Sequence, residues 1–301
     1  MSLRTDLQSK KFIITAELNP PKGSNPQQAI ENARKISKLV SAINITDNSG
    51  AAMKMCSLVL SYLIQREAGV NAIWQLTCRD RNRLALQSDL LGAAALGLSN
   101  ILVLRGDAPL EPLKEEKCFD LNTEDLIQAI AALKSGTDLD GNPLKEGVPD
   151  YCMAAAAHPG VPNLIAQKDT MLKRMDMGVE FFQTQICFEK EQINKFIESI
   201  GEELASRTIL GVTPLKALAQ ANFMNKNIFG VTVPDSHLKL MEQALGGADP
   251  KSEHAKASQQ KQGLELARDL VAYIKTTPLK GIHVMAIGQE DILDQVIRSI
   301  N

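Results

Sequence analysis

The stretch LTCRDRNRLALQSDLLGAAALGLSNILVLRGD, residues 76–107, decides the fold. It begins in the end of a short apolar run, AIWQLTC (72–78), of the length and composition of a buried strand. A polar link, CRDRNR (78–83), follows. The next segment, RLALQSDLLGAAALG (83–97), has helical patterning and stops at Gly97. Glycine suits a helix end because it takes the left-handed backbone freely. NILVLRG (100–106) is apolar and β-forming again. The whole is a strand, a helix and a second strand.

The same rhythm extends in both directions. Further apolar runs are FIITAEL (12–18), AINIT (42–46), YCMAAAA (151–157), FFQTQICF (181–188), TILGVT (208–213) and GIHVMAI (281–287). Most are continuously apolar, as parallel strands covered by helices on both faces must be. Amphipathic segments lie between them: one from Pro26, one at 53–69, and others near 123–134, 163–177, 189–202, 215–226, 235–245 and 257–276. Eight strands alternating with helices give a closed (β/α)₈ TIM barrel or a large open sheet. The chain has 301 residues and no second domain stands out, which favours one α/β barrel domain over 1–301.

Two segments interrupt the pattern. SGTDLDGNPLKEGVPD (135–150) reads as an extended rim loop or a plain surface loop. NIFGVTVPDSH (227–237) reads as the lead-in to an extra helix, capped by Asp235 or Ser236.

Composition excludes several classes. The net charge is -2 and aromatic residues make up 4%, which supports neither a basic nucleic-acid face nor a base-stacking platform. No apolar run is long enough to span a membrane, and the N-terminal segment lacks the apolar centre of a signal peptide. Cys56, Cys78, Cys118, Cys152 and Cys187 are widely spaced with no C-x₂-C pair, and the four histidines have no ligand spacing. A reduced, cytoplasmic enzyme without a metal site is expected.

In a barrel the active site lies at the C-terminal ends of the strands. That rule selects Glu17, Thr46, Asp47, Gln75, Thr77, Arg105, Asp107, His158, Gln183 and Gln185. Glu17 precedes LNPPKG, whose prolines stiffen the exit, and apolar surroundings favour a protonated carboxyl; it is a candidate general acid or a salt-bridged rim residue. Arg105, Gly106 and Asp107 put a cation, a close-approach backbone position and an anion in one turn, or form a local ion pair. Gln185 can give bidentate amide contacts to a heteroaromatic edge, or be a satisfied core residue. The alanines before His158 leave room for a flat cofactor. The CRDRNR segment could meet phosphates, or solvate a loop and cap the next helix. No G-x-G-x-x-G or Walker A sequence occurs.

These residues also carry a resemblance. Segment 76–107, with TAELNPPKG (15–23), ITDNSG (45–50) and MGVEFFQTQ (177–185), resembles the methylenetetrahydrofolate reductase family. The resemblance implies a flavoprotein oxidoreductase of one-carbon metabolism and methionine biosynthesis. It would hold FAD, with FMN open, and reduce 5,10-methylenetetrahydrofolate to 5-methyltetrahydrofolate. Glu17 is similar to the acid that protonates the folate ring nitrogen. Asp107 resembles the carboxylate beside flavin and pterin, and Gln185 the glutamine that touches folate. Thr46, Asn48, Gln75, Arg105, Gly106, Ala155, Ala157, His158 and Arg174 fall where the family holds its flavin.

The pattern also departs from many bacterial members. Gln75 stands for a histidine, Arg174 for a lysine at the flavin phosphates, Gln167 for an acidic residue, and Leu218 for a substrate-gripping phenylalanine. Met285 and Gln289 stand for a tyrosine and an arginine. The resemblance implies a folate substrate, NADH or another electron donor, a homo-oligomer, and a branch that works with a cysteine-rich partner subunit. Two other readings stay open: a pterin-binding methyltransferase-type barrel without a redox cofactor, and a non-catalytic folate- or flavin-binding subunit.

Overall fold

The computed structural model describes residues 2–9, 11–107, 119–285 and 293–300. Eight parallel strands close into a barrel in sequence order: β1 (Ile13–Leu18), β2 (Ala42–Ile45), β3 (Asn71–Thr77), β4 (Asn100–Leu104), β5 (Cys152–Ala157), β6 (Phe181–Ile186), β7 (Thr208–Val212) and β8 (Gly281–Val284). The expected (β/α)₈ architecture is thus the observed one. Cys118, Gln289 and the end of the last expected strand, 286–287, lie outside the described residues.

The helices are α1 (Leu3–Gln8), α2 (Gln27–Ile36), α3 (Ser57–Ala68), α4 (Arg83–Ala95), α5 (Thr123–Ser135), α6 (Leu164–Asp176), α7 (Lys190–Ile200), α8 (Glu202–Ala205), α9 (Leu218–Asn227), α10 (Asp235–Leu245), α11 (Glu253–Ile274) and α12 (Leu293–Ile300). Local chemistry sets their ends. Asn82 accepts the Ala85 N–H at the start of α4, and Gly97 just beyond its end has φ +76°. Asn122 and Asp125 form a reciprocal capping box on α5, and Gly136 closes that helix at φ +93°. The cap expected for α10 is different. Pro234 is its N-cap, without a side-chain cap, and Asp235 is already in the first turn, where its charge complements the helix dipole.

Contacts group the chain into two compact units: Met1–Lys10, Thr15–Ala156 and Thr170–Phe182 in one, Lys11–Ile14, Ala157–Asp169 and Gln183–Asn301 in the other. In the first, the strands pair in register, with Glu17 opposite Asn44, Asn44 opposite Ile73, and Gln75 opposite Leu102, which lies opposite Ala154. Its 135–150 connection is a surface loop. It packs beside α4, where Leu139 N–H donates to Gln87 and Arg83 pairs with Asp140.

In the second unit, β7 and β8 pair from Ile209 with Gly281 to Val212 with Val284, and Ile13 N–H donates to the Lys280 carbonyl. Segment 228–234 forms no strand. Val231 and Val233 instead join a core of Ile186, Phe188, Leu215, Ala221, Met224 and Met241. β6 and β7 approach closely: a Cβ on Gly211 would stand 2.6 Å from the Thr184 carbonyl oxygen, so only glycine fits there.

Candidate active site

Burial along the strands marks which residues open at the barrel rim. In β1, β5 and β6 every residue is buried except the penultimate one: Glu17, Ala156 and Gln185. Parallel strands under helices bury both faces, so a lone half-open position near each C-terminal end is the mark of the rim.

The first unit carries most of the candidate residues. Gln75 Nε2 donates to Glu17 Oε2 at 3.2 Å. These side chains come from strands that flank β2, so both point to the inner face of the barrel. Strand periodicity extends that face to Leu102, Ala154 and Ala156. Ala155 and Ala157 therefore lie on the opposite face, where both are fully buried. Ala156 is the alanine of this run that shares the side of Glu17 and Gln75.

The loops after β1 and β2 are tied together. Asn19 Oδ1 accepts from Thr46 Oγ1 (2.9 Å), Ser49 Oγ (2.9 Å) and Lys54 Nζ (2.9 Å). Asn48, Gly50 and Ala51 all have positive φ, at 46°, 66° and 53°. For non-glycine residues such backbone costs about 1–3 kcal/mol and persists only where neighbours hold it. They do: Lys54 N–H donates to Asn48 Oδ1 at 3.0 Å, and Gly50 N–H donates to Asp107 Oδ2 at 2.7 Å. The candidate carboxylate Asp107 thus grips the strained turn from β4.

Gly106 passes with φ +90°, and a Cβ there would meet the Arg79 and Thr77 Cβ atoms at 3.0 and 3.1 Å. Beside it the exposed Arg105 guanidinium lies 5.5 Å from the Phe119 ring centroid. Arg174 reaches from α6 to Glu124 (2.8 Å) and to the Ala156 carbonyl (3.1 Å), supporting the end of β5. Burial raises the Glu124 carboxyl, but hydrogen bonding and charge from Arg174 outweigh this and hold it below the usual range.

The arginines of CRDRNR neither solvate a loop as a group nor stand free for phosphate. Arg79 is 2% exposed and forks onto Asp80 at 2.7 and 2.6 Å. Arg81 donates to Asp47 Oδ2 at 2.8 Å and pairs with Asp89. Asp47 is buried and also accepts from Thr77 N–H (3.0 Å), Thr77 Oγ1 (2.9 Å) and Ser57 Oγ (3.3 Å). It is a satisfied structural carboxylate. Arg83 is the exposed one. Burial pushes Asp80 up, yet hydrogen bonds from Arg79 and Asn48 win and depress its carboxyl.

A family model for methylenetetrahydrofolate reductase matches residues 2–301. The chain belongs to the methylenetetrahydrofolate reductase family. Among curated relatives, a "Probable methylenetetrahydrofolate reductase (NADPH)" of Caenorhabditis elegans is 26% identical over 237 residues, covering 77% of this chain and 32% of the relative. This chain therefore spans about a third of that relative, as it does of methylenetetrahydrofolate reductase 2 of Schizosaccharomyces pombe, at 33%. A 5,10-methylenetetrahydrofolate reductase of Salmonella typhimurium is 26% identical over 288 residues, covering 93% of this chain and 87% of the relative. The EDTA monooxygenase of Chelativorans sp. BNC1 shares the fold at TM-score 0.53 and 11% identity, covering 96% of this chain and 93% of that one.

In the second unit of this family member, Gln185 Oε1 accepts the Ile186 N–H at 3.0 Å, while Gln183 is buried. His158 N–H donates to Gln167 Oε1 at 3.2 Å. Leu218 and Met285 pack on the core around Phe188, and Leu218 N–H donates to Gln259. Asn19 and Lys54, which organise the rim of the first unit, were not singled out from sequence. Asn19 lies inside TAELNPPKG, but a polar residue in a loop names no partner, and only the fold shows that it stands beside Thr46 and Lys54.

Proposed function

We propose that this chain is a flavin-dependent oxidoreductase that reduces 5,10-methylenetetrahydrofolate to 5-methyltetrahydrofolate. The observation that carries the reading is the family match over residues 2–301, which takes in Glu17 at the open end of β1. Glu17 holds a proton for the folate ring nitrogen. Its delivery opens the methylene bridge to an iminium cation, which accepts hydride. Asp107 holds the pterin, Gln185 gives it amide hydrogen bonds, and Leu218 contributes an apolar wall.

The residues fit a flavin. Gly106 runs against Thr77 and Arg79 where a Cβ would crowd, and Ala156 leaves a small half-open position on the inner face. Thr46, Asn48, Gln75, Arg105, Gly106, Asp107 and His158 would hold the group. Ala155 and Ala157 act through backbone and small bulk, with Ala156 offering the side-chain contact. Arg174 acts through the Ala156 carbonyl. When bound, the flavin supplies the hydride, while the protein positions and polarises. The donor is NAD(P)H or another reductant.

The test is anaerobic reduction of the flavin-loaded chain by NADH, NADPH and reduced ferredoxin in parallel, followed by addition of 5,10-methylenetetrahydrofolate. Folate-dependent reoxidation with 5-methyltetrahydrofolate as product supports the reading. A chain that binds no flavin after reconstitution contradicts it and favours a barrel that transfers methyl groups without redox chemistry.

A further inference from the structure

We infer that Arg79 is a positioning residue that sets Asp107 and the 48–51 turn for the reaction; the inference rests on the reductase reading. The Arg79 guanidinium joins three loops. Nε and Nη2 fork onto Asp80 in the loop after β3, at 2.7 and 2.6 Å. Nη2 also donates to the Asn48 carbonyl at 3.1 Å, after β2, and Nη1 to the Asp107 carbonyl at 3.3 Å, after β4. Asp80 repeats the link by accepting from Asn48 Nδ2 at 3.2 Å.

The consequence is geometric. Asp107 uses its carboxylate on Gly50 N–H, while its own carbonyl is held by Arg79. Arg79 therefore grips the strained turn directly at Asn48 and indirectly through Asp107 at Gly50. Its Cβ also lies 3.0 Å from where a Gly106 side chain would begin, so the stem fixes the path of the backbone leading into Asp107. A buried arginine is costly unless fully paired, and the partners here are loop groups at the rim. A planar fork is required: lysine keeps the charge and cannot make these divergent bonds together.

The experiment is a double-mutant cycle on the flavin-loaded full chain with Arg79→Lys, Asp107→Asn and the pair. It reads kcat and KM for 5,10-methylenetetrahydrofolate and the thermal midpoint. Arg79→Lys should raise the folate KM about tenfold with the fold retained, and the pair should lose little beyond Asp107→Asn alone, as residues acting through one another do. Losses that multiply, or an Arg79→Lys chain with native kinetics, overturn the inference and leave the reductase reading standing. If Arg79→Lys does not fold, Asp80→Asn at a half-exposed partner takes its place in the same cycle with the same two outcomes. An unmutated chain that binds flavin but reduces no folate overturns the reading and this role with it.

Discussion

Gln75 Nε2 meets Glu17 Oε2 at 3.2 Å on the inner face of the barrel, from a strand two removed in the sheet. The amide orients the carboxyl without neutralising it by a charge. Glu17→Gln should therefore fold and bind flavin normally, yet lose about 10²–10⁴-fold in folate reduction, the range for a missing general acid. Stopped-flow reoxidation of the reduced protein by folate checks this, and near-native rates would remove Glu17 from the acid role.

Gly106 combines φ +90° with a Cβ position 3.0 Å from Arg79 Cβ. Gly106→Ala should cost about 1–3 kcal/mol in stability through backbone strain and crowding. It should also weaken flavin binding. Denaturant unfolding and flavin titration measure the two effects, and an unchanged unfolding midpoint would contradict the geometry.

Asp47 is buried beneath Arg81, Thr77 and Ser57. Removing it as Asp47→Ala leaves Arg81 with Asp89 alone and the buried Thr77 N–H without its acceptor, so a loss of about 1–3 kcal/mol is expected. Thermal unfolding tests it. The loss should be present with or without flavin, since Asp47 supports the rim and is not assigned to the ligand.

Asp80 and Glu124 both have carboxyls held below their ordinary values by arginines. The stability they contribute is complete above the unfolded carboxylate pKa of about 4 and is lost as pH falls through the lower folded values. Unfolding followed below pH 5 should show the chain weakening with acid, and Asp80→Asn should flatten part of that slope. A slope identical to the native one would deny the Asp80 pairing with Arg79.

The barrel was legible because most strands are apolar runs and most of the long helices between them show an amphipathic face, as in 72–78 and 83–97; the short helices α1, α8 and α12 were not. The rim positions of Glu17 and Gln185 were legible for a related reason: each is a polar residue late in a largely apolar strand. The alanine run was not fully readable, because four identical residues give no face. Only the strand register separates Ala156 from Ala155 and Ala157. The CRDRNR arginines were opaque for another reason. A charge cluster reads as solvated, and the partners that bury Arg79 and Arg81 come from loops distant in sequence, at Asn48, Asp107 and Asp47.

The reverse half-reaction tests the proposed folate reduction most directly. Flavin-loaded chain is mixed anaerobically with 5-methyltetrahydrofolate alone, and the flavin absorbance is followed. Bleaching of the oxidised band with formation of 5,10-methylenetetrahydrofolate, abolished or greatly slowed in Glu17→Gln, is the predicted result. A flavin that stays fully oxidised at saturating 5-methyltetrahydrofolate, while still bound to the native chain, would rule out the proposed reaction.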